Sequence, residues 1–168
     1  MLTNTLYRLN REKSLRVAYF GGSITEGGGE NGWRRLTPKW FQARWPEAEI
    51  TEINAAIGGT GTDLGVYRCD RDVIAYHPNL TFIEFAVNDS GFQPDVLSRT
   101  TEAIVRKLLA ADPTMEIVFV FTTTKRLTDA LAEGQPFTSR DRHAAIAAHY
   151  GLPAIDIGTP FAEAAAKQ

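Results

Sequence analysis

A single cysteine, Cys69, stands in 168 residues, so no internal disulfide can form. Neither sign of charge is in excess. Eighteen Lys and Arg against 20 Asp and Glu leave a net charge of −2, which removes the electrostatic case for nucleic acid or an anionic membrane as partner. No apolar run reaches the roughly 18 to 20 residues of a transmembrane helix. Residues 1–16 are too polar for a signal peptide, so a cytoplasmic location is the expectation if Met1 is the start. There is no Gly-Lys-Ser/Thr, which excludes a P-loop, and no Gly-x-Ser-x-Gly, which argues against the nucleophile elbow of α/β-hydrolases. Histidine is scarce: only His77, His143 and His149.

What is present is an ordered alternation. Apolar runs predict strands over 15–20, 49–53, 80–87, 116–121 and 153–157. Between them, helical periodicity predicts helices over 33–45, with Pro38 near the start or kinking it, and over 62–77. Thr62 can cap the latter helix, which carries Val66, Cys69, Val73 and His77 on one face. A helix over 95–111 places Leu97, Thr101, Ile104, Val105 and Leu108 on one face. Another over 139–150 is stopped by Gly151, and a last one begins at 159. Residues 122–138 read as a long loop that could fold over a site. Short connections between alternating strands and helices imply one domain. Its expected fold is a three-layer α/β/α sandwich with a five-stranded parallel sheet in flavodoxin-like order.

In such a sheet, ligands bind beyond the carboxyl ends of the strands. Ser23 follows the first strand in Gly21-Gly22-Ser23-Ile24-Thr25, Gly59 follows the second in Asn54-Ala55-Ala56-Ile57-Gly58-Gly59-Thr60, and Asn88 follows the third in Ala86-Val87-Asn88-Asp89. Singly, each has a plain structural explanation: a helix cap, a turn glycine, a capping asparagine. Together they supply what acyl transfer needs. Ser23 offers a nucleophilic hydroxyl and its own N–H, Gly59 a closely approachable N–H, and Asn88 a side-chain amide donor for the oxyanion.

These blocks resemble the SGNH, or GDSL-like, hydrolases over about residues 15–157. Gly22-Ser23 with Ile24-Thr25 fits the first block, with Gly21-Gly22-Ser23 in place of Gly-Asp-Ser. Residues 54–59 fit the second, and Asn88-Asp89 the third, with Ala86 where glycine is usual. The resemblance implies a serine ester hydrolase with no metal or organic cofactor, acting on small acyl or carbohydrate acetyl esters. It also implies an Asp-x-x-His block after the fifth strand, which supplies the base. No Asp-x-x-His occurs in the chain. The expectation is therefore a single domain over 1–168 that is incomplete at its C-terminus, lacks the final helix, and is inactive or impaired. An apolar strip left by that helix should favour self-association into a homo-oligomer.

None of the three histidines fits the place of a base. His77 lies at the amino edge of the sheet, His149 on a polar helix face, and His143 beside Ile146 and Ala147, where a packed or edge histidine is favoured over a base. Glu84, in mid-strand, must find a partner when buried. It serves either a structural hydrogen-bond network or, more sharply, braces the loop carrying Ser23. Trp33, Trp40 and Trp45 read as helix and core packing ahead of a sugar platform, with Trp33 nearest the glycine loop. Two rival readings stay open. One is a non-catalytic ligand-binding relative that keeps the fold. The other is a flavodoxin-like nucleotide or flavin binder using Gly27-x-Gly29-x-x-Gly32, a match that glycine runs produce by chance.

Overall fold

The computed structural model describes residues 2–165. Five parallel strands, β1 (Ser14–Gly21), β2 (Glu49–Asn54), β3 (Leu80–Glu84), β4 (Glu116–Phe121) and β5 (Ala154–Asp156), form one sheet in the order β2-β1-β3-β4-β5. This is the expected flavodoxin-like arrangement. The order reverses between β1 and β3, so a crevice opens beyond their carboxyl ends.

Alternation along the strands divides the core between two faces. Ala18, Phe20, Ile53, Ile83, Phe85, Ile117 and Phe119 share one face. Against it pack α4 (Thr62–Asp72), α5 (Pro94–Ala111) and α7 (Thr138–His149). All five positions expected to face inward on α5 are buried. Leu15, Val17, Tyr19, Leu80, Phe82, Val118 and Val120 line the other face, against α3 (Trp33–Arg44) and the N-terminal segment. Over β5 that second face is uncovered: Ile155, beside Val120, is 48% exposed.

Several boundaries differ from expectation. β3 stops at Glu84, three residues before Val87, because the chain turns there to carry Asn88 across the crevice. α4 ends at Asp72 and is followed by a 3-10 turn (Ile74–Tyr76), and His77 is exposed in a left-handed conformation (φ 48°), not helical. Pro78 disfavours the helical region for the residue before it. Thr62 does not cap its own helix. The cap position is Gly61, and the Asp89 carboxylate accepts the Thr62 N–H at 2.9 Å. The expected loop over 122–138 contains α6 (Lys125–Ala132), capped by Thr124. α3 continues through Pro38. α8 (Gly158–Ala165) follows β5, and α2 (Ser23–Glu26) is a single turn at the end of β1.

The polar N-terminus forms an unforeseen helix, α1 (Thr3–Tyr7), extended by a π-helical turn (Arg8–Glu12). Glu116 at the start of β4 accepts the Asn4 and Thr5 N–H groups at 3.0 and 2.7 Å, and the Asn4 side chain donates to Thr114 O at 2.8 Å. Among the described residues no helix is long and apolar enough to cross a membrane.

Candidate active site

Three loops converge at the carboxyl ends of β1, β2 and β3. Ser23 is the exposed first residue of α2. A methyl group on Gly58 would lie 3.7 Å from Ser23 Cβ, which places the second loop against the serine. Gly59 follows with φ 74°, a backbone region that glycine enters at little cost. A methyl group on Gly22 would lie 2.0 Å from Asn88 Oδ1, so the third loop lies directly on the residue before Ser23. The structure thus brings together Ser23, the Gly58-Gly59 turn and Asn88, as the strand order requires.

Close packing explains the glycine pair ahead of Ser23. A side chain at Gly21 would meet Thr25 Oγ1 at 2.4 Å and the Glu84 carbonyl at 2.6 Å, and one at Gly22 would meet the Asn88 amide. Gly58 donates its N–H to Glu26 Oε2 at 2.9 Å, which ties the second loop to α2. Among the described residues the Gly59 N–H has no acceptor in the protein.

Buried polar side chains hold these loops. Glu84 is fully buried; Thr25, two residues after Ser23, donates to its Oε2 at 2.7 Å, and Thr122 at the end of β4 donates to its Oε1 at 2.9 Å. Both readings of Glu84 therefore meet in one network: it is structural, and it braces α2. Burial pushes its carboxyl up to about 7, against the two hydroxyl bonds that favour the charged form.

Two buried arginines were not legible as site residues. Arg68, on α4, donates to Gly21 O at 3.1 Å, to Thr60 Oγ1 at 3.1 Å and to Ala55 O, and its guanidinium lies 4.5 Å from the centre of the Phe20 ring. It binds the end of β1 to the loop after β2, and its desolvation lowers its affinity for the proton. Arg34, on α3, donates to Thr25 O at 2.8 Å and Glu26 O at 3.1 Å, and pairs with Glu52. Helical periodicity marks neither residue; only their burial beside free carbonyls does.

Asp89 anchors the third loop. Besides the Thr62 N–H, it accepts the Thr62 hydroxyl at 2.7 Å and contacts His143 Nε2 at 3.0 Å. His143 is 1% exposed and is engaged inside the α4–α7 layer, as the packed-histidine expectation has it. His149 is exposed. Cys69 is buried with its thiol pushed up to about 12 by desolvation, so it offers no competing nucleophile. Trp33 packs edge-on to Tyr19 and Phe82 on the sheet face away from the site, and Trp45 packs nearby, whereas Trp40 is 57% exposed and not core. The glycine loop folds into a 3-10 turn (Gly29–Asn31) after α2 and not directly after β1, out of place for a dinucleotide fingerprint.

Comparison with known proteins agrees with this architecture. No curated protein matches the chain. Among solved structures, it resembles a two-domain esterase (CEX) active on acetylated mannans, at 31% identity over 92% of this chain and 42% of that one, with a TM-score of 0.75. The same esterase co-crystallised with mannopentaose aligns at 30% identity and a TM-score of 0.77, over 93% of this chain and 42% of that one. The chain thus spans less than half the length of that esterase. Fold similarity alone extends to a lipase/acylhydrolase from Enterococcus faecalis, with 19% identity, coverage of 87% and 77%, and a TM-score of 0.68. The profile of one family, the GDSL-like lipases and acylhydrolases, matches residues 19–168. By that match and by its sheet order, the chain belongs to the GDSL-like lipase/acylhydrolase family.

Proposed function

We propose that this chain carries the nucleophile and oxyanion groups of a serine ester hydrolase acting on small or carbohydrate-linked acyl esters, acetylated sugars foremost. The observation that carries the reading is the convergence of Ser23, the Gly58-Gly59 turn and Asn88 at the carboxyl ends of three adjacent strands. Ser23 Oγ attacks the ester carbonyl. The Ser23 and Gly59 N–H groups and the Asn88 amide receive the oxyanion, the tetrahedral intermediate expels the alcohol, and water then releases the acid from Ser23. Each such donor typically contributes on the order of 100 to 1000-fold in rate. Similarity to an esterase active on acetylated mannans supports a sugar acetate as the ester.

Ser23 also needs a proton acceptor. His143 is held by Asp89, and His77 precedes β3 at the opposite edge of the sheet. These 168 residues by themselves are therefore inactive or severely impaired, limited to the roughly 10³ to 10⁴-fold acceleration that binding and an oxyanion hole give without a complete triad. Acetate release from p-nitrophenyl acetate and acetylated mannan tests this. Steady turnover by the chain, abolished by Ser23→Ala, would overturn the impairment. Failure of a longer form that includes Asp-x-x-His would sink the enzyme assignment. The engagement of His143 also favours a second reading, a ligand-binding relative that keeps the pocket, for which acetate or sugar binding is unchanged by Ser23→Ala.

A further inference from the structure

The outward ridge of α4 takes no part in the chemistry above. Leu64 and Tyr67 on that ridge are 52% and 84% exposed, and Ile57 beside them is 40% exposed. With Thr60, Arg68 and Arg71 they surround a depression of about 380 Å³. Neighbouring exposed apolar side chains of this size mark binding sites more often than accidents of packing.

The depression borders the loop that carries Gly58 and Gly59. Ile57 and Thr60 belong to the same turn as Gly58 and Gly59, and α4 begins at Thr62. Tyr67 lies five residues along the helix from Thr62, roughly 7.5 Å along its axis. Gly58, where an added methyl would lie 3.7 Å from Ser23 Cβ, sits in the turn between Ile57 and Thr60, so a sugar in the depression borders the serine loop. A second depression of about 390 Å³, lined in part by Asn54, Asp72 and Tyr76, meets the first at Ile57 and runs along the β2 edge.

The lining selects a chemistry. A pyranose ring offers an aliphatic C–H face and a rim of hydroxyls. The Tyr67 ring with Leu64 and Ile57 suits the face. Arg71, steadied by Asp72 at 2.6 Å, suits the rim with charged donors. A long acyl chain would need an enclosed apolar channel, and this surface is open and carries the exposed guanidinium of Arg71. We infer that the Ile57–Leu64–Tyr67 depression is a subsite for the sugar on the alcohol side of the ester, with the adjoining groove receiving further sugars of an oligosaccharide. This rests on the ester-hydrolase reading of Ser23.

Binding, not turnover, tests it. Amide resonances of the 168-residue chain are followed during titration with mannopentaose and, separately, with acetate, for the parent, Tyr67→Ala and Tyr67→Phe. Mannopentaose is expected to shift Leu64, Tyr67 and Arg71. Tyr67→Ala should weaken its binding by about fivefold or more, while Tyr67→Phe stays within about twofold. Neither change should alter the unfolding temperature appreciably. Acetate should shift Gly59 and Asn88 in all three proteins. Mannopentaose binding unaffected by Tyr67→Ala, or no binding at all, overturns the subsite, and a retained acetate response at Gly59 and Asn88 then shows that the oxyanion pocket, which the ester-hydrolase reading requires, stands without it. Loss of the acetate response alone counts against that reading and leaves the sugar site standing.

Discussion

Gly22 and Asn88 occupy each other's space so closely that one added methyl must displace the other. Gly22→Ala is therefore expected to move the Asn88 amide. Its signature should be a large shift of the Asn88 side-chain resonances and loss of their response to acetate, with the fold intact by circular dichroism. His143 calls for the opposite outcome. Its removal leaves Asp89 one partner short in a buried setting, which costs about 1 to 3 kcal/mol. His143→Ala should lower the unfolding free energy measured by urea denaturation by that amount, and the acetate response at Gly59 should persist. A His143→Ala protein of unchanged stability that has lost its acetate response would contradict the structural role. Ser23, Gly59 and Asn88 were legible because each follows a strand in a short polar block. Arg34, Arg68 and the anchoring role of Asp89 were not, because the partners they bind are distant in sequence and become neighbours only in the folded sheet.

Among the elements, α2 is the one whose position decides whether Ser23 points at an ester, and it is one turn long. Such a turn has no stability of its own. It is held by Thr25 on Glu84 and by Arg34 on its carbonyls. Burial raises the Glu84 carboxyl from an ordinary 4.5 to about 7. A pKa raised by folding means that the neutral form is the one the fold favours. Its stabilising effect is whole below about pH 4.5 and is lost as pH rises through about 7, by up to roughly 3 kcal/mol. Thermal unfolding should therefore show a higher midpoint near pH 5 than near pH 8 from this residue, and Glu84→Gln should flatten that difference. An unchanged pH profile in Glu84→Gln would refute the assignment. The long elements were readable from periodicity, as the buried face of α5 shows. α1 and α6 escaped because five and eight residues carry too little of a pattern, and because the start of α1 is fixed by tertiary bonds to Glu116.

For the molecule as a whole, the uncovered sheet face is the main liability. Leu6, Trp40, Phe82, Val120, Ile155 and Ile157 line a largely apolar groove of about 510 Å³ beside the exposed β5 edge. Concentration-dependent association in sedimentation velocity is expected, weakened by Ile155→Lys, which charges the edge strand. A monodisperse monomer at high concentration would count against it. The bonds from Asn4 and Thr5 to Glu116 set another condition, one of timing. Helix α1 leaves the ribosome with its anchor still 112 residues away in the chain. At about 5 to 20 residues per second, that segment waits roughly 6 to 20 s for the strand that receives it. During that interval Glu116 cannot hold the first turn of α1, so this helix is a stretch that a nascent-chain chaperone would have cause to hold.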